Sequence, residues 1–160
     1  MIVVMPGAPD DFYTGRSEEY VVNEVYPFIA REYNIRKGPA AAAIGGMSMG
    51  GFGAFYLAYR HPELFGYAMV LSPGNLDQEF LEQLNRELGR GAKVSAILDI
   101  RVGKSDEISF PYAERLTQIL AEHDVPFGYQ VTRGIHDWNY WHSVMTPSLS
   151  RVQEFFSRTR

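Results

Sequence analysis

The sequence contains no cysteine. Disulfides, thiol nucleophiles and cysteine zinc sites are thereby excluded, while the compartment stays open. It also has no basic run: 15 Lys and Arg against 19 Asp and Glu leave a formal charge of −4, which argues against nucleic acid as a partner. No apolar stretch reaches the length of a membrane span, so no membrane partner is expected. No signal-peptide pattern opens the sequence, a reading that tilts toward the cytoplasm. The four histidines fall into neither H-E-x-x-H nor H-x-x-E-H spacing. A zinc site is therefore not expected, and no metal or organic cofactor is implied. Internal repeats and linker-like segments are missing as well.

What remains is 160 residues, 46% hydrophobic and 21% charged, a balance that belongs to a globular chain rather than a disordered one. The length suits a single domain over residues 1–160 with a core of its own. The hydrophobic pattern alternates. Short apolar runs predict strands over residues 2–5, 40–45, 67–71, 94–102 and 127–132. Between them lie helical patterns. Ser17 is placed to cap a helix with Val22, Val25, Ile29 and Tyr33 on its apolar face and Pro27 as its kink. A helix from the end of the second strand stops at His61-Pro62. Leu76, Phe80, Leu84 and Leu88 mark another. Ser109 and Pro111 open the next as cap and first-turn residue, with Tyr112, Leu116, Ile119 and Leu120 buried. Met145, Leu149, Val152 and Phe156 mark the last. Strands alternating with helices predict βαβ units: a three-layer α/β/α sandwich on a mostly parallel sheet of about five strands.

One stretch breaks local rules. Residues 40–60 read as an apolar run, then Gly46-Met47-Ser48-Met49-Gly50, then a helical pattern carrying Gly51 and Gly53. This is G-x-S-x-G in strand–turn–helix context, the nucleophile elbow, in which a serine sits at a sharp, strained turn. Gly46 and Gly50 are expected to clear side chains from that turn. Gly51 and Gly53 each cost the helix about 1 kcal/mol, so close helix–strand contact or function should justify them. The plainer reading is a glycine-rich turn with an incidental serine.

Ligands of parallel α/β sheets bind beyond the carboxyl ends of the strands. Ser48 comes after the second strand, Asp106 after the fourth and His136 after the fifth. A serine hydroxyl needs a base to take its proton and a carboxylate to orient that base. The chain order Ser, Asp, His is that of α/β-hydrolases. Asp99 rivals Asp106 but lies inside a strand; Asp77 is more remote. His142 rivals His136 but lies in or at a helix. His61 reads as structural, His123 as a helix C-terminal residue, and Asp137 as a cap or loop anchor.

Taken together, Gly46 to Ala54, the run Arg60-His61-Pro62-Glu63-Leu64-Phe65, Gly103 with Asp106, and Gly134, His136, Asp137, Trp138 and Trp141 resemble the esterase D family of α/β-hydrolases. So does the upstream run Asn23-Glu24-Val25-Tyr26-Pro27-Phe28-Ile29. That family includes feruloyl and acetyl esterases, S-formylglutathione hydrolases and mycolyltransferases. The resemblance implies a shortened α/β-hydrolase fold with Ser48 as nucleophile, Asp106 as acid and His136 as base, acting on a small-molecule ester. The Met49 N–H is one implied oxyanion donor. In the family, further strands precede the one that opens this sequence, and a loop among them gives the second donor. Residues 7–15 are the candidate substitute here, with Phe12 and Tyr13 toward the pocket. The first strand is expected beside the second, in the order 1-2-3-4-5, or a partner chain fills the place in a homodimer or higher homo-oligomer. Met47, Tyr13, Leu71, Trp138 and Trp141 are expected pocket walls, core packing being the alternative. The expected activity is serine esterase on short-chain acyl or aryl esters. Acyl transfer or thioester hydrolysis by the same residues, and a weakly active domain serving binding or assembly, are the alternatives.

Overall fold

The structure is a computed structural model and describes residues 1–74 and 78–158. Four strands form the sheet: β1 (Ala43–Met47), β2 (Tyr67–Leu71), β3 (Ile97–Gly103) and β4 (Phe127–Thr132). They lie side by side in chain order, and all three pairings are parallel. The strands start level with one another, Ala43 opposite Tyr67 and Tyr67 opposite Ile97. This register explains two shifted boundaries. In register, residues 94–96 lie before the start of β2 and have no ladder partner, so β3 starts later than its apolar run. Pro39–Ala41 form a 3-10 turn, so β1 starts at Ala43 rather than at residue 40.

Helices fill the connections. α1 (Arg16–Glu19) runs through a π-helical turn (Tyr20–Val25) into α2 (Tyr26–Glu32). Pro27 has no N–H to give to the carbonyl four residues back, which is where the α register slips. Ser17 lies inside α1 rather than capping it, and its hydroxyl donates to Asp11. α3 (Met49–Arg60), α4 (Gln78–Gly89) and α5 (Phe110–Glu122) join successive strands; α6 (Trp138–Arg158) comes after β4.

Side-chain alternation along the strands assigns the layers. Ala68 and Val70 of β2, with Leu98 and Ile100 of β3, bury against Phe55, Leu84 and Leu116 of α3, α4 and α5. Tyr67, Met69 and Leu71 point the other way, onto Trp141, Val144 and Val152 of α6. Right-handed crossovers through strands added in one direction put their helices on one face, and α6, which follows the last strand, covers the other. β2 is buried at every residue because both edges and both faces are covered. Among the described residues no helix is long and apolar enough to cross a membrane.

Among the described residues the sheet has four strands rather than five. Residues 2–5, expected as the first strand, form no strand and lie exposed. The order 1-2-3-4-5 is corrected accordingly: no ladder joins residues 2–5 to β1, and without a paired neighbour their exposed backbone is left to water rather than to a sheet. The inner face of α6 is also rotated from the expected one. Tyr140, Trp141, Val144, Ser148, Val152 and Phe155 are buried, while Leu149 is 40% exposed. On α5, Tyr112 lies at the surface and Ala113 takes the inner position. Leu76, expected on the helix after the third predicted strand, lies outside the described residues.

Candidate active site

Ser48 stands alone between β1 and α3, at φ 52° and ψ −118°. An L-residue held there costs of order 1–3 kcal/mol, so the surroundings must over-determine it. They do so through the backbone. The Ser48 N–H donates to the Leu71 carbonyl at 3.0 Å, continuing the sheet ladder past the end of β1. The Ser48 carbonyl accepts from Gly51, Phe52 and Gly74 N–H groups at 2.9, 3.1 and 3.0 Å. Glycine makes the close packing possible. A Cβ at Gly46 would lie 2.4 Å from the Gly50 carbonyl oxygen, and one at Gly51 would lie 2.5 Å from that of Leu71. A Cβ at Gly53 would meet the Tyr13 ring at 2.7 Å. Gly50 differs from the expectation, because a Cβ there meets nothing within 4 Å.

Asp106 lies three residues beyond β3 and is completely buried. Its Oδ1 accepts the Ser109 N–H at 2.9 Å. His136 lies four residues beyond β4. The two exit loops touch backbone to backbone: a Cβ at Gly103 would lie 2.6 Å from the Gly134 carbonyl oxygen. That approach sets His136 Nδ1 at 3.1 and 3.0 Å from the two Asp106 carboxylate oxygens. His136 Nε2 is 2.9 Å from Ser48 Oγ. Edge-on packing against the Trp141 ring, at 5.1 Å between centroids, fixes the plane of the imidazole. Three strand ends thus bring a hydroxyl, an imidazole and a carboxylate into one hydrogen-bonded line. Such a line can move the Ser48 proton to His136 and stabilise the resulting imidazolium by the carboxylate.

The rival residues are engaged elsewhere. Asp99 is buried in an ion pair with Arg101 at 3.1 Å and also meets Arg151 at 3.2 Å. Asp77 lies outside the described residues. His61 Nε2 pairs with Glu18 at 2.7 Å, which ties α1 to the end of α3. His123, at the C-terminal cap of α5, pairs with Asn85 at 2.7 Å. His142 is exposed on α6 and faces the Trp138 ring. Asp137 accepts the Tyr140 N–H at 2.9 Å and so caps the start of α6. Burial pushes the Tyr140 phenol, packed under Gly134, above its ordinary range.

Met49 carries the first N–H of α3, which has no intrahelical acceptor. It stands one residue past Ser48, where a developing oxyanion would seek a donor. Met47 closes β1 and is half-buried. Leu71 is completely buried among Tyr140, Trp141 and Val144, so its side chain belongs to the core. Trp138 is 63% exposed and stands edge-on to Trp141. Tyr13 packs on Gly53 and donates its hydroxyl to the Pro6 carbonyl. Phe12 stands edge-on to Phe52. Residues 7–15 therefore lie against α3, and among the described residues no hydrogen bond joins that loop to Ser48. Two surface recesses, of about 440 Å³ beside Tyr59 and Glu87 and about 550 Å³ behind the His136 loop, are not lined by Ser48.

Two positions at the site were not legible as such. Gly74 lies against the serine, with the place for its Cβ 3.3 Å from Ser48 Oγ and 3.5 Å from the Met49 nitrogen. Ser109 reads as an ordinary helix cap, yet its hydroxyl makes no cap bond; it reaches His136 Nδ1 at 3.2 Å instead. A serine before Phe-Pro gives no signal that separates these two uses.

The Esterase family profile matches residues 8–152. No curated protein shows a significant match. Solved structures share the fold. The fluorophosphonate-binding serine hydrolase F of Staphylococcus aureus, with substrate bound, superposes with a TM-score of 0.74 at 23% identity, over 91% of this chain and 69% of its own. A ferulic acid esterase from Anaeromyces mucronatus gives 0.66 at 21% identity, over 85% and 53%. The S-formylglutathione hydrolase of Staphylococcus aureus gives 0.65 at 24%, over 83% and 60%. The chain thus spans between about half and two thirds of the length of these relatives.

Proposed function

The chain belongs to the Esterase family, and on that premise we propose that it is a serine esterase acting on short-chain acyl or aryl esters through Ser48, His136 and Asp106. The observation that carries the reading is the unbroken line from Ser48 Oγ through His136 to Asp106, at 2.9 and 3.0 Å. Ser48 Oγ attacks the ester carbonyl while its proton passes to His136 Nε2. Negative charge gathers on the former carbonyl oxygen, and the Met49 N–H donates to it. As the tetrahedral centre collapses, the alcohol leaves with the proton held by His136. Water then gives a proton to His136 and attacks the acyl group on Ser48. The acid departs, and the proton returns to Ser48. Asp106 keeps Nδ1 protonated throughout and stabilises the imidazolium in both halves.

Two relatives are named for a ferulic acid ester and for S-formylglutathione, a thioester. Those two chemistries set the substrate panel. The protein is expected to hydrolyse short p-nitrophenyl esters with a burst of nitrophenol. A fluorophosphonate should add once, on Ser48, as read by mass spectrometry. Methyl ferulate and an acyl thioester test the aryl and thioester branches, and added alcohol acceptors test acyl transfer. Turnover no faster than buffer, with no adduct, defeats the esterase reading and leaves the binding or assembly module.

The same reading includes a homodimer. Among the described residues β1 pairs on one side only, and that open edge offers a row of backbone donors and acceptors. Residues 2–5, Ile-Val-Val-Met, are exposed and strand-forming. Exchange of that segment between two copies would satisfy both. Light scattering on the eluting protein should give twice the 18.1 kDa chain mass. A monomer at tens of micromolar rejects the dimer.

A further inference from the structure

We infer that Ser109 is a positioning residue that supports, beside Asp106, the Nδ1–H tautomer of His136 and its orientation; the inference rests on the esterase reading for its kinetic consequence alone. Ser109 is completely buried at the N-cap position of α5. A serine there normally turns its oxygen to its own helix, worth about 1 kcal/mol. Ser109 forgoes that bond. Its Oγ lies 2.9 Å from the Ser72 carbonyl and 3.2 Å from His136 Nδ1, while its N–H holds Asp106 Oδ1 at 2.9 Å.

The protons admit one satisfying arrangement. Ser109 has a single hydroxyl hydrogen, and the Ser72 carbonyl can only accept. If the hydrogen went to Nδ1 instead, that nitrogen would be a bare lone pair facing the Asp106 carboxylate at 3.0 Å, two acceptors in contact. The Ser72 carbonyl would also lose its donor in a buried place. The Ser109 hydroxyl therefore donates to Ser72. Its lone pairs accept from Nδ1–H, shared with Asp106. Nδ1 is the protonated nitrogen, and Nε2 is left as the acceptor that faces Ser48 Oγ. Asp106 thus sets which nitrogen carries the proton, and the Ser109 hydroxyl, turned to Ser72, supports that tautomer as a second acceptor.

The anchor is itself built in. Ser72 leaves β2 at φ 41°, a left-handed conformation that serine adopts at a cost, and its N–H is held by the Arg101 carbonyl at 2.7 Å. Two residues on, the Gly74 N–H donates to the Ser48 carbonyl at 3.0 Å. The turn 72–74 therefore closes a ring of hydrogen bonds from Ser48 to Ser109, then to His136 and back to Ser48.

The test reads tautomer and rate together. Histidine side-chain nitrogen and proton NMR of the wild type should show neutral His136 as the Nδ1–H form, and Ser109→Ala should keep that form, held by Asp106, with the Nδ1–H resonance shifted by loss of its second acceptor. Ser109→Ala should lower kcat for p-nitrophenyl acetate by about ten- to a hundredfold, the kinetic equivalent of one bond to a charged group, with KM unchanged. Ser109→Thr keeps the hydroxyl and should recover both the spectrum and most of the rate. An Nε2–H form in the wild type overturns the assignment without any variant. So does an unchanged spectrum and kcat in folded Ser109→Ala. A wild type that hydrolyses no ester removes the esterase reading, while the spectrum still decides the tautomer.

Discussion

Ser48→Ala is expected to lower kcat/KM for p-nitrophenyl esters by roughly a millionfold, the scale on which removing the nucleophile of a hydrogen-bonded relay acts. The cause is the loss of the hydroxyl oxygen that His136 Nε2 faces at 2.9 Å. Stability should hardly change. Alanine at φ 52° meets the same backbone cost as serine, and the backbone bonds that hold the turn come from Leu71, Gly51, Phe52 and Gly74 rather than from the side chain. A circular dichroism melt close to wild type would separate lost chemistry from lost fold. His136→Ala should fall as far, and Ser48→Ala with His136→Ala should fall no further, because the two act as one unit. Asp106→Asn should cost about ten-thousandfold, since an amide facing Nδ1 favours the wrong tautomer. His142→Ala, exposed on α6, should keep the wild-type rate. Equal rates in wild type and Ser48→Ala would end the esterase reading; loss in His142→Ala with retention in His136→Ala would reassign the base.

The strand-end logic made the three residues legible in sequence, because it depends only on which residues stand just past each apolar run. Topology then did the assembly. Parallel strands in chain order bring residues 48, 106 and 136 to one edge without any contact being known in advance. The first strand was not legible in the same way. Residues 2–5 have strand composition, but a strand is a property of two segments, and composition says nothing about the neighbour. The inner face of α6 lies about one position from the expected one because aromatic residues surround the whole start of that helix, so period alone leaves the phase open; on α5 Leu116, Ile119 and Leu120 are buried as expected and only Tyr112 gives way to Ala113. Ser109 was hidden by its own ordinariness. Serine at a helix start has a local explanation, and only the missing cap bond and the Ser72 carbonyl reveal the other use.

The glycines flanking Ser48 should respond to alanine with opposite signs, although the sequence pattern treats them alike. Gly46→Ala places a Cβ 2.4 Å from the Gly50 carbonyl oxygen and 2.5 Å from its carbon, about 1 Å inside ordinary contact. The obstacle is backbone of the first turn of α3, which cannot rotate aside as a side chain can. Overpacking of this kind costs about 3 kcal/mol, which in a chain of this size lowers Tm by roughly 6–12 °C. Relief by moving the first turn of α3 also moves Ser48 and the Met49 N–H, and a displacement near 1 Å costs about a hundredfold in rate. Gly50→Ala meets nothing within 4 Å and has no left-handed φ. It should gain up to about 1 kcal/mol of helix propensity, raising Tm by about 2–4 °C. Melts of the two variants check both signs. A Gly46→Ala protein as stable as wild type would mean that β1 and α3 do not approach as closely as the elbow requires. The strain at Ser48 would then lose its explanation, because it is the close approach of Gly46 to Gly50 that leaves the chain no softer way to turn.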